Sequence, residues 1–191
     1  MPRSPSAAQI LDAALSLADQ CGWERLQLFA VAAELGVGLD VIARHYRQKD
    51  DLVEAWFDRA DQALLARGED AALLEQPPAQ RLEELLLAWL QALAAHRAVS
   101  GEMLLYKLEP GHVHLQVLGL LRISRTVQWW REAARRDNHH LARVVEESLL
   151  TALYLRTFVH WLRHPEEDEM DVRLLLRRQL ACGALQRLLR H

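Results

Sequence analysis

Residues 26–52 read LQLFAVAAELGVGLDVIARHYRQKDDL, and this stretch decides the fold class. Apolar Leu28, Val31, Ala32 and Leu35 recur at helical spacing and are followed by Gly36-Val37-Gly38. A second short run, with Ile42 on the same apolar register, fills 39–45. Two short helices joined by a tight glycine-bearing turn, with an earlier helix crossing them, form the helix-turn-helix pattern. Small Ala32 allows the pair to approach closely. Short helix pairs of this kind also occur in helical proteins that bind no nucleic acid.

The rest of the chain is also expected to be helical. Leu and Ala supply 65 of 191 residues, whereas Val, Ile and Thr supply 18, a balance that disfavours strands. Ser4 as cap and Pro5 at the first position open a first helix that Gly22 ends. A fourth helix starts near Lys49, with Asp50 and Asp51 suiting its dipole. Glu75-Gln76-Pro77-Pro78 is the clearest internal break. Further helices are expected over 79–96, 100–108, 112–136 and 141–163, and from Asp168 almost to the end. The expectation is about nine helices and no strands. A break at 48/49 divides residues 1–48 from residues 49–191, with helix four (49–68) as connector.

Composition excludes several classes. The apolar content of 51% suits a packed core, and 26% charged residues is ordinary. No charge-free apolar run of about 18 residues occurs, so neither a spanning helix nor a membrane partner is expected. The N-terminus shows no apolar signal region, and the two cysteines, Cys21 and Cys182, make no disulfide framework. A cytoplasmic protein is therefore expected. The net charge is −3, and residues 1–68 carry 7 Lys/Arg against 10 Asp/Glu. A broad basic face is absent, but Arg44, His45, Arg47 and Lys49 cluster behind the second short helix, with Arg3 on the arm. Such cations can anchor a phosphate backbone, and an arginine can read guanine.

The wider arrangement resembles the TetR family of bacterial transcriptional regulators. Ile10-Leu11-Asp12-Ala13-Ala14, Gly22-Trp23, Val31-Ala32, Gly36-Val37 and HYRQKDDL over 45–52 carry the resemblance, with Tyr46, Lys49 and Leu52 in the family's spacing. It implies an N-terminal three-helix DNA-binding domain and a C-terminal helical domain for ligand binding and dimerisation. It further implies a homodimer on a double-stranded operator and a repressor released by a small apolar or amphipathic effector. DNA contacts are then expected from Gln27, Gly38, Leu39, Asp40, Arg44, His45, Tyr46, Arg47 and Lys49. Helix four would transmit the change, with Trp56 and Phe57 at the seam. The chain departs from the pattern where Leu26 and Gln27 replace a hydroxyl cap, where Gly38 replaces Ser, and where Ala43 replaces a phosphate-binding Tyr. Asp40 also brings a negative charge to the segment entering the groove.

Gly22-Trp23, together with Trp161, an acidic linker and an Arg-bearing last helix, is faintly similar to a ubiquinone-biosynthesis lipid-binding family that shares the fold without binding DNA. That gives an alternative accessory role. The intact 45–52 segment favours the regulator.

An effector pocket is expected from Trp89, Met103, Tyr106, His112, Trp129, Tyr154 and Phe158, although any one of these also suits a plain core. Adjacent Trp129 and Trp130 lie about 100° apart on a helix, so at most one should line it. Leu149, Leu153, Leu176 and Leu180 on the last two helices are expected at a dimer interface. His112 and His114 stand two apart and His139-His140 at a turn, which gives no converging metal set. No nucleophile triad or phosphate loop appears, so no metal, no cofactor and no enzymatic activity are expected.

Overall fold

The computed structural model describes residues 4–107, 113–181 and 183–189. Among them there is no strand. The helices are α1 (Ala7–Cys21), α2 (Leu28–Glu34), α3 (Leu39–His45), α4 (Lys49–Gly68), α5 (Ala71–Leu74), α6 (Pro78–Leu93), α7 (Arg97–Lys107), α8 (Val113–Ala133), α9 (His140–Arg163), α10 (Glu169–Leu180) and α11 (Gly183–Leu189), with a 3-10 turn over Ala94–His96. Fold class is as expected, with local differences. Ser6 rather than Ser4 caps α1, because Ser6 and Gln9 close a reciprocal capping box. The single last helix expected from Asp168 is two helices, with Gly183 at φ +50° opening the second.

The chain forms two compact units that do not follow a break at 48/49. One is Met1–Arg59 with Ala95–Gln116; the other is Ala60–Ala94 with Val117–His191. In the first, α1 buries Ile10, Leu11, Ala14, Leu15 and Ala18, and Val31, Ala32 and Ile42 weld α2 to α3. Full burial of each large apolar side chain contributes roughly 1.5–3 kcal/mol. Gly36 turns the chain between α2 and α3 at φ +64°, a conformation that favours glycine. Helix α7 belongs to this unit for chemical reasons that spacing does not show. Glu102 Oε2 accepts from the Trp23 N–H at 2.5 Å, Ser100 Oγ from Trp56 Nε1 at 2.8 Å, and His96 Nδ1 meets Asp19 at 2.6 Å. The buried Lys107 ammonium lies 2.5 Å from Asp50 and 2.9 Å from Glu54.

The second unit is built on an aromatic and leucine core. Trp89 meets Tyr154 and Phe158 edge-on, with ring centroids 5.2 and 5.1 Å apart. Two ionic groups sit inside it. Asp61 accepts from Trp89 Nε1 (2.9 Å), Thr126 Oγ1 (3.0 Å) and Arg122 (2.5 Å). Fully buried Glu146 is held by Arg131 and Arg136. Paired charges of this kind are costly to break singly, because the remaining charge is stranded in apolar surroundings.

Candidate nucleic-acid interface

Helix α3 is seven residues long and is held by its apolar side, with Ile42 buried and Val41 half-buried. The remaining side, Leu39, Asp40, Ala43, Arg44 and His45, is exposed, and Arg47 follows it in the turn. Gly38 provides the extended N-cap, and α2 begins at exposed Gln27 with no side-chain cap, as the missing hydroxyl implied. Asp51 accepts from the main-chain N–H groups of Arg47 (2.8 Å) and Gln48 (3.2 Å). This fixes the α3–α4 turn and leaves the Arg47 side chain exposed. Asp40 and Arg44, one turn apart, pair at 2.5 Å with both side chains 67% exposed.

Two expected contact residues turn inward. Tyr46 is buried, its hydroxyl donates to the Ala7 carbonyl at 2.9 Å, and burial pushes its pKa up. Lys49 Nζ donates to the carbonyls of Trp23 (2.5 Å) and Glu24 (3.0 Å) and stands 5.0 Å above the Trp23 ring. Burial lowers its pKa, against the neighbouring Cys21 and Glu24. Both residues hold the α3–α4 turn to the start of α1 and to the loop after it. The exposed set that remains is Gln27, Gly38, Leu39, Asp40, Arg44, His45 and Arg47. The sequence reading gave no role to Phe29, which is 62% exposed on α2. Asp40, expected as a contact residue and as a negative charge near the groove, also stands four residues before Arg44, a spacing that signals a pair.

The effector-site expectation divides. Trp89, Tyr154 and Phe158 come together in the second unit, whereas Met103 and Tyr106 fall in the first, and His112 lies outside the described residues. Trp129 is corrected. It is 45% exposed, because its neighbour Trp130 takes the buried direction and donates to the Leu82 carbonyl at 2.9 Å. The second unit also has a polar cleft lined by Arg67, Gln76, Gln80, Glu83, Glu84 and Arg177. The interface expectation is corrected too. Leu153, Leu176 and Leu180 are buried in their own chain, and only Leu149 is partly open. The exposed apolar residues of α9 are Leu141, Val144 and Val145, and those of α10 are Met170 and Leu174. Among the described residues no group of three His, Cys, Asp or Glu is placed to hold a metal ion, and no helix is long and apolar enough to cross a membrane.

A three-helix unit that presents one short helix by its polar side is the architecture of a helix-turn-helix DNA-binding protein. The family described as "Bacterial regulatory proteins, tetR family" matches residues 10–56. A crystal structure of a TetR transcriptional regulator from Nitrosomonas europaea is 42% identical to this chain. It superposes with a TM-score of 0.82 over 92% of this chain and 95% of its own. A bacterial regulatory protein of the tetR family from Rhodococcus RHA1 is 20% identical, with a TM-score of 0.51 over 98% of this chain and 97% of its own, a likeness of fold. No curated protein matches. The chain belongs to the TetR family and is a DNA-binding transcriptional regulator, a non-enzymatic class.

Proposed function

We propose that the protein is a homodimeric repressor that places α3 of each subunit in the major groove of an operator and is released by a small apolar or amphipathic effector. The exposed polar side of α3, with Arg44, His45 and Arg47 free of the apolar contacts that hold the helix, carries the reading. Likeness to the Nitrosomonas europaea regulator over nearly the whole chain supports it. A single seven-residue helix reads too few base pairs for a genomic address. Two subunits on half-sites about 34 Å apart supply the rest. The effector enters the aromatic core of the second unit, where Trp89, Tyr154 and Phe158 give apolar surface and the Asp61 cluster gives polar partners. It acts only by binding one of the two states better than the other.

The test is fluorescence anisotropy on duplexes from around the gene, at several salt concentrations, with unrelated duplex as competitor. Specific binding that weakens steeply with salt is expected, since each neutralised phosphate adds about 0.9 to the log–log slope. Absence of binding to any duplex at low salt would overturn the reading in favour of a lipid-binding accessory protein.

A further inference from the structure

The Asp40 side chain lies between Gly38, the N-cap of α3, and Arg44, one turn further along the helix. A Cβ on residue 38 would lie 2.4 Å from Asp40 Oδ1, so the room that any side chain would need there is occupied by the carboxylate. The other oxygen, Oδ2, accepts from Arg44 at 2.5 Å. Both side chains are 67% exposed, and an exposed pair one turn apart contributes little to folding. The contact does fix the Arg44 guanidinium beside the exposed side of α3. Guanidinium has five N–H donors, and the carboxylate engages one hydrogen of one terminal nitrogen. The donors left include a parallel fork that matches O6 and N7 of guanine. Holding the fork in advance reduces the side-chain freedom lost on binding.

We propose that Asp40 positions Arg44 for bidentate recognition of a guanine in the major groove, with Gly38 leaving the space for its carboxylate. This rests on the DNA-binding reading above and adds that each operator half-site carries a G·C pair opposite Arg44. Asp40 is then a positioning residue. Were it only a repulsive charge, its removal would strengthen binding to every sequence alike, guanine included.

The experiment is selection of full-length protein on a pool of randomised duplexes, followed by anisotropy on the selected duplex and on single-base variants of it. Wild type should select a guanine in each half-site. Arg44→Lys keeps the charge and the salt slope but loses the fork, and should lose guanine preference by about tenfold or more at that position alone. Asp40→Ala should weaken the same preference while affinity for unrelated duplex holds or rises. Gly38→Ser displaces the carboxylate and should act in the same direction. Thermal midpoints of all three should stay near wild type, because the pair is exposed. Full preference retained in Arg44→Lys or Asp40→Ala would overturn this inference alone. No selection by wild type would overturn the regulator reading and this inference with it.

Discussion

The Lys49 ammonium donates to two main-chain carbonyls and the Tyr46 hydroxyl to a third, and these bonds fix where α1 ends relative to the α3–α4 turn. A neutral hydrogen bond contributes about 0.5–1.5 kcal/mol, and one to a charged group about 1.5–3 kcal/mol. Tyr46→Phe should therefore lower unfolding free energy by about 1 kcal/mol, and Lys49→Met by somewhat more, in urea denaturation. Neither should change the salt dependence of DNA binding. A slope reduced by about one unit in Lys49→Met would instead make that lysine a phosphate contact. The sequence could place both residues in the recognition segment but could not orient them. Tyr46 follows α3 in a non-helical turn and Lys49 is the first residue of α4, so helical periodicity gives neither a secure face, and the Trp23 carbonyl lies 26 residues from Lys49. By contrast, the inward direction of Ile42 and the outward direction of Arg44 were legible, since both lie inside a regular helix.

At the scale of elements, α4 and α8 approach closely where Gly68 meets Ala133. A Cβ on residue 68 would lie 2.9 Å from the Ala133 Cβ, closer than real Cβ atoms approach one another. Gly68→Ala should destabilise by about 1–3 kcal/mol in denaturant titration despite the better helix former, and adding Ala133→Gly should restore most of the loss. Helices α6 and α10 are joined differently, by Glu83 and Glu84 against Arg173 and Arg177. The hydrogen bond from Arg173 is the main cause that holds the Glu84 carboxyl below its ordinary 4.5, with Arg67 adding to it against partial burial. A depressed carboxylate contributes stability that is complete above its unfolded value and is lost as pH falls through the folded one. The thermal midpoint should therefore fall below about pH 4.5, and Glu84→Gln should lower it at neutral pH while flattening that acid limb. Several helix boundaries were readable from Pro and Gly, but the Ser6 cap of α1, the short α5 and the break before α11 were not. Nor was the membership of α7 in the first unit, because it depends on Glu102, Ser100 and Lys107 meeting partners far along the chain.

For the whole molecule, α9 leaves a group of apolar residues exposed that is open to a partner surface. Leu141, Val144 and Val145, continued by half-buried Leu149, lie along one side with small Ser148 and Ala152 also exposed between turns. Apolar exposure grouped on one helix face marks an interaction site more often than scattered exposed residues do. A symmetric pairing of two such faces is isologous, so one substitution is applied twice across the interface. Val144→Glu should place two carboxylates in it and shift the protein to monomer in sedimentation, with helical circular dichroism unchanged because Val144 is exposed in the single chain. The monomer should still bind DNA through α3, but without the second half-site held nearby. Joining two sites raises avidity by about 10²–10⁴-fold, so operator affinity should fall by that order while affinity for a single half-site changes little. A dimeric Val144→Glu protein with wild-type operator affinity would place the subunit contact elsewhere, with the exposed Val117, Leu118, Leu120 and Leu121 of α8 as the next face to substitute.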